Sequence, residues 1–156
     1  LDYGGFIFIV IIKVEEEPFV IEYNVRMGDP ETQVVLPRIK NDFLEMMIKT
    51  ANGNVNTVNL EIDDTSFANV VLVAGGYPES YEKGNVIKGL DPQEESIIFH
   101  AGTKQDGKSI LTNGGRVLSV VSKSNDFKSA LKKSYKTIES IEFDRKYYRK
   151  DLGFDL

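Results

Sequence analysis

The chain opens on an unbroken apolar run, Phe6 to Ile12, and then changes period. The run reads as a buried strand over Phe6–Val14, because a membrane span needs about 20 apolar residues. Glu15-Glu16-Glu17-Pro18 is charged, ends in Pro and predicts a turn. From Phe19 the pattern alternates, predicting a second strand over Phe19–Val25 and hence a hairpin. Side chains two apart on a strand share a face, roughly 6–7 Å apart. Phe19, Ile21, Tyr23 and Val25 are therefore expected to face a core, and Glu22, Asn24 and Arg26 the opposite side. Gly28-Asp29-Pro30 breaks the strand and predicts a helix start. Asp29 suits its N-cap, Pro30 its first position and Glu31 its positive end. Pro37 limits that helix to about two turns. Asn41 or Asp42 is expected to cap a second helix whose Phe43, Leu44, Met47 and Ile48 form an apolar face, ended by Asn52-Gly53-Asn54.

The pattern shifts near residue 55 to short strands: Thr57–Ile62, Asn69–Ala74, Asn85–Ile87, Ser96–Ala101, Ser109–Leu111 and Arg116–Ser122. Gly75-Gly76-Tyr77-Pro78, Asp106-Gly107 and Asn113-Gly114-Gly115 punctuate them. Asn125 starts a helix with Phe127, Leu131, Tyr135 and Ile138 at near-3.6 spacing, and Lys128, Lys132, Lys133 and Lys136 on its wet face. There are no repeats. The layout is α+β: the end of one domain over 1–54, a β-hairpin plus helices, then a sandwich- or barrel-like β-rich domain over 55–156 with a covering helix.

Composition narrows the function classes. The chain has 156 residues, 41% hydrophobic and 28% charged, as in a globular domain or a domain with a piece of another. A net charge of −5 and no dominant basic face exclude a nucleic-acid footprint. No Cys is present, so disulfides and thiolate metal sites are excluded and a cytoplasmic protein is expected. Neither a membrane segment nor a signal peptide is visible. The chain lacks an initiator Met and opens almost directly into a strand, which reads as part of a longer protein.

Glu22, Asn24 and Arg26 form the strongest candidate site. A carboxylate and an amide oxygen on one face suit a hard divalent cation that shares its shell with phosphate oxygens. The same alternation also suits the solvated face of an antiparallel sheet. His100, the sole histidine, alternates with Phe99 and reads as a hydrogen-bonded, partly buried strand residue without a catalytic partner. Asn113-Gly114-Gly115-Arg116 reads either as a hairpin turn or as a phosphate-cradling turn. Tyr147 to Asp151 reads as a docking tail.

These residues carry a family resemblance. VIEYNVRMGDPETQ at 20–33 is similar to the metal-binding segment of ATP-grasp ligases of the phosphoribosylamine–glycine ligase type. GGYPESYEKGNVIKGL at 75–90, FHAGT at 99–103, TNGGRVLSVV at 112–121 and YYRKDLGFD at 147–155 resemble the same family in the same order. One departure is Val10, where a small residue, often Gly, is expected. The resemblance implies that 1–54 ends an ATP-grasp domain and that 55–156 is the family's C-terminal domain. It implies ATP-dependent joining of glycine to 5-phosphoribosylamine through glycyl phosphate, with Mg²⁺ or Mn²⁺ as cofactor. Glu22 and Asn24 would be metal ligands at the cofactor site, Arg26 a catalytic clamp on phosphoryl or carboxylate oxygens, and Arg26, Asp29, Glu31 and Arg116 substrate contacts. The glycine-rich loop and adenine-binding strand of such a site would lie upstream, so the isolated segment is expected to be inactive. It is also expected to expose Phe6, Phe8, Ile11 or their neighbours and to self-associate. The alternative from another class is a non-catalytic β-rich binding or scaffolding module, in which Glu22, Asn24 and Arg26 are ordinary surface.

Overall fold

The computed structural model describes residues 3–91 and 94–154. The chain divides into two compact units, Leu1–Asp64 and Thr65–Leu156. In the first unit, β1 (Phe8–Val14) and β2 (Glu17–Asn24) form the expected antiparallel hairpin. Its turn is shorter than the charged run implied. Only Glu15 and Glu16 lie outside the strands, Glu15 with φ 56°, and Lys13 pairs with Glu16 at 2.8 Å. Pro18 sits inside β2 opposite Lys13, which an edge strand tolerates. A register shift between Val10 and Ile11 leaves Ile21 without an opposite residue, so β2 carries a bulge beside Glu22.

The first helix differs from its expected form. α1 covers only Thr32–Val35, with Glu31 at its N-cap, and a 3₁₀ turn, Leu36–Arg38, follows at Pro37. Asp29 does not cap it. The Thr32 N–H bonds the Gly28 carbonyl at 3.0 Å, so Asp29, Pro30 and Glu31 are spent in the turn ahead of the helix. α2 (Phe43–Ala51) starts as expected, the Asp42 carboxylate accepting from the Glu45 N–H at 2.9 Å. No strand forms over Thr57–Ile62. A 3₁₀ turn, Val55–Thr57, leads to a single bridge between Ile39 and Ile62. The Asn41 side chain clamps this crossing, donating to the Asn59 carbonyl and accepting from the Glu61 N–H. Residues 59–63 are thereby tied to the first unit, which closes at Asp64.

The apolar positions of this unit find no core among the described residues. Among its described residues only Gly28 is buried. Phe19, Ile21, Tyr23 and Val25, expected to face inward, are all exposed, Val25 by 71%. Ile11 is exposed as well, whereas Phe6 and Phe8 are half-buried, Phe6 stacking on Phe43 with ring centroids 6.1 Å apart. The apolar face of α2 stays open at Leu44 and Ile48.

The second unit has the core. β3 (Ser66–Val73), β8 (Arg116–Ser124) and β5 (Ser96–His100) form one antiparallel sheet in the order β3-β8-β5. β4 (Val86–Ile87), β7 (Ser109–Thr112) and β6 (Thr103–Asp106) form a second, in the order β4-β7-β6. β6, Thr-Lys-Gln-Asp, carries no apolar signal. It is a strand because the Gly107 turn, at φ 58°, folds it back on β7. α3 (Phe127–Ser140) covers the first sheet. Its buried face is Ala130, Ser134, Thr137 and Ile138, while Phe127, Leu131 and Tyr135 sit half-buried on its shoulder. Two hydroxyls on that face join a chain: Ser134 donates to Ser122 at 2.9 Å, Ser122 bonds Ser96 at 2.7 Å, and Ser96 bonds Thr137 at 2.7 Å. The lysine stripe lies on the outer side, as expected.

Two outcomes follow. Contiguous exposed apolar surface on a two-stranded ribbon with free edges promotes association. The 156-residue chain should therefore show concentration-dependent association by light scattering, reduced when Ile11 and Tyr23 are both replaced by Lys. At the start of α3, the Ser129 hydroxyl and the Ser129 N–H donate to Asp126 at 2.7 and 2.8 Å and hold its carboxyl below the ordinary carboxylate range. A carboxyl lowered on folding stabilises above its unfolded value and loses that contribution as pH falls through its folded value. Asp126→Ala should thus lower the melting temperature at neutral pH, and the gap from wild type should close as the pH falls through that depressed value.

Candidate functional site

Glu22 and Asn24 occupy the last turns of β2 beyond the bulge. The Asn24 amide donates to Glu22 Oε1 at 3.1 Å, so the two side chains share a face of the ribbon, as their spacing predicted. That bond uses one carboxylate oxygen and one amide hydrogen. The second carboxylate oxygen and the amide carbonyl oxygen accept no hydrogen bond among the described residues. One full charge and one neutral oxygen on an exposed strand fit a hard divalent cation that keeps water or phosphate in most of its shell. They do not fit an all-protein cage. Among the described residues no three His, Cys, Asp or Glu side chains come together.

Arg26 departs from its expected place. β2 ends at Asn24, and Arg26 lies in the bend that follows, where its guanidinium donates to the Met27 carbonyl at 2.9 Å. The adjoining turn is compact. Glu31 folds its carboxylate back over buried Gly28, where an added Cβ would stand 2.4 Å from Glu31 Oε2 and 3.0 Å from the Phe8 ring. The Gln33 amide donates to Asp29 at 3.3 Å, and the Thr32 hydroxyl bonds the Gly28 carbonyl. Glu22, Asn24, Arg26, Asp29 and Glu31 thus fall within one short stretch of the first unit, with Gln33 an addition that sequence reasoning passed over. Its signal was its place one helical turn after Asp29.

Arg116 belongs to the second unit, as the first residue of β8, half-buried and opposite Val73. The Asn113-Gly114-Gly115 turn before it is not a hairpin. β7 and β8 lie in different sheets, and the turn carries the chain from one to the other. Its glycines serve close approach. Gly114 lies against Gly102, and Gly115 lies under the Tyr77 ring, where a Cβ would stand 2.0 Å from Cδ2. The 74–78, 101–103 and 113–116 segments are tied together by Ala74 N–H to Gly115 O at 2.8 Å, Asn113 N–H to Gly102 O at 2.7 Å and Gly102 N–H to Arg116 O at 2.8 Å. His100 ends β5. It is hydrogen-bonded, to the Thr103 hydroxyl at 3.0 Å, but exposed rather than partly buried.

These glycine-bound segments fall inside a sequence profile described as "Phosphoribosylglycinamide synthetase, C domain", which matches residues 67–155. The chain belongs to that family. The phosphoribosylamine–glycine ligase of Fusobacterium nucleatum is 42% identical over 98% of the chain and 37% of its own length. That of Chlorobaculum tepidum is 41% identical over 97% of the chain and 36% of its own. The crystal structure of the Thermotoga maritima phosphoribosylamine–glycine ligase superposes with a TM-score of 0.79 at 32% identity, covering 93% of this chain and 36% of that one. The chain therefore spans a little over a third of the length of each of these three proteins. Its α+β architecture is the one found in the corresponding part of that structure. No helix among the described residues is long and apolar enough to cross a membrane.

The Gly115 contact is directly testable. Gly115→Ala should destabilise the chain by about 1–3 kcal/mol, the usual cost of overpacking, because the ring above it must move. Tyr77→Ala should make Gly115→Ala close to neutral in chemical denaturation. Additive losses would rule out the contact as the cause.

Proposed function

We propose that this chain is part of an ATP-dependent carbon–nitrogen ligase that joins glycine to 5-phosphoribosylamine, yielding glycinamide ribonucleotide, ADP and phosphate. The observation that carries this reading is the extent of the match. Identity near 40% runs over almost the whole chain, so the matched span extends across the hairpin unit as well as the C-terminal unit. Glycine has a poor leaving group on its carboxyl carbon. Phosphorylation by ATP converts it to glycyl phosphate, which the amine of phosphoribosylamine attacks with release of phosphate.

Phosphoryl transfer asks a protein mainly for positioning and charge neutralisation. Glu22 and Asn24 would hold Mg²⁺ or Mn²⁺, which when bound offsets charge on the transferring phosphoryl group. Asn24 adds an oxygen without a second negative charge, leaving the cation electron-poor enough to hold phosphate. Arg26 brings a planar fork suited to phosphoryl or carboxylate oxygens. Its present bond to the Met27 carbonyl uses one nitrogen. Asp29 and Glu31 offer carboxylates that suit the amine of a substrate, and Arg116 a guanidinium that suits a phosphate. The absence of cysteine suits a reducing cytoplasm.

In the intact ligase that contains this segment, Glu22→Gln keeps the side chain's shape and removes its charge. Turnover should fall by about 100-fold or more, the order for losing one preorganised electrostatic element, with partial rescue by raised Mg²⁺. Asn24→Ala should act in the same direction, and the 156-residue chain alone should form no glycinamide ribonucleotide. Near-normal turnover of Glu22→Gln would remove Glu22 from the metal site.

A further inference from the structure

The outer side of α3 holds a groove that the ligase reading does not use. It encloses about 640 Å³ between the helix and the returning C-terminal segment. Its floor is apolar: Phe127, Leu131 and Tyr135 from successive turns of α3, and Leu152 from the tail. All four are half-buried, so they line a recess rather than project from the surface. The tail is held in place by the Tyr135 hydroxyl, which donates to the Arg149 carbonyl at 2.8 Å, and by Gly153, whose missing side chain lets the backbone lie on the Phe127 ring.

Along this floor run Lys128, Lys132 and Lys136, four residues apart and all exposed. Eight residues of helix rise about 12 Å, so the three ammonium groups border the groove over a little more than two turns. None of them forms an ion pair among the described residues. Neighbouring Lys133, by contrast, is matched to Glu95 at 3.2 Å. Two carboxylates also line the groove, Glu95, which is taken up by Lys133, and Glu139, one turn beyond Lys136, so four lysines against two carboxylates leave the lining basic on a chain whose net charge is −5.

We propose that this groove is a docking site for an acidic amphipathic segment of a partner protein, with bulky apolar side chains seated on the Leu131–Tyr135–Leu152 floor and carboxylates at one-turn spacing facing Lys128, Lys132 and Lys136. Charge complementarity selects the occupant. The lysines require anions, and the floor requires apolar groups between them, which free phosphate and nucleic-acid backbones lack. A bilayer would need apolar side chains that stand out from the surface. Recognition of this kind places anchors at i, i+3 or i+4 and i+7 in a groove. Exposed ion pairs add selectivity and salt dependence more than affinity.

The test uses fluorescein-labelled helical peptides of about three turns carrying Leu at i, i+3 and i+7 and Glu on the flanking positions. Anisotropy with the 156-residue chain should show saturable binding that weakens as salt rises. Lys128→Glu, Lys132→Glu and Lys136→Glu together should weaken it at least 10-fold, with circular dichroism unchanged because all three side chains are exposed. A Glu→Lys peptide and a Leu→Ser peptide should each bind at least 10-fold more weakly. Equal binding of the acidic and basic peptides, an unaffected triple variant, or tighter binding of a single-stranded RNA oligonucleotide would overturn the proposal. So would loss of the chain's own association in the triple variant, which would assign the groove to a second copy. None of these readouts involves ligase activity, so the docking site and the ligase reading stand or fall separately.

Discussion

Burial of β8 on both faces is the constraint on which the second unit depends. Val117 to Ser122 are six consecutive buried residues in a strand paired with β3 on one edge and β5 on the other. Val70 and Leu72 from β3, Ile87 from β4, Ile138 from α3 and Ile141 and Phe143 beyond it close on this strand as one cluster. A strand hidden from water on both sides must satisfy every backbone group through its neighbours. β8 therefore brings the two sheets, the helix and the glycine-rich turns into register. Ser119 and Ser122 on the same strand are buried too, and Ser122 is paid for by its bonds to Ser96 and Ser134.

The first unit obeys the opposite condition. It carries as apolar a sequence as the second, yet its hairpin and α2 leave those side chains exposed. An isolated two-stranded ribbon is marginally stable at best, and the ladder and the Asn41 clamp hold shape without supplying a core. The Glu22–Asn24 pair rests on this ribbon. Its spacing along the strand is set locally, by the pleat, whereas the described residues of this unit supply no core to hold the ribbon rigid.

Charge is arranged differently again. Asp126 caps α3 at its N-terminus, and Lys146 reaches back to the Ile138 and Ile141 carbonyls at the other end, its ammonium pulled below the usual lysine range by burial. Both ends of the helix are thus matched to its dipole. Among the described residues the three lysines along its outer side form no ion pair, and that contrast separates charges that close the helix ends from charges that remain on its surface.

Much of this was legible from sequence. The two-residue period placed Glu22 and Asn24 side by side, since a pleat puts i and i+2 together whatever surrounds it. A cap for α2 at Asn41 or Asp42, which the structure places at Asp42, and most strands of the second unit followed from local chemistry in the same way. Tertiary structure decided the rest. It made a strand of Thr103–Asp106, whose polar residues carry no signal, because β7 lay alongside to pair with it. The Asn113-Gly114-Gly115 turn became a crossing between sheets, since β8 was needed at the centre of the other one. The buried face of α3 is Ala130, Ser134, Thr137 and Ile138, while Leu131 and Tyr135 of the expected apolar stripe pack against the core only half-buried. Small side chains let the helix approach β8 closely, and buried hydroxyls can find one another only when strand and helix are already in place.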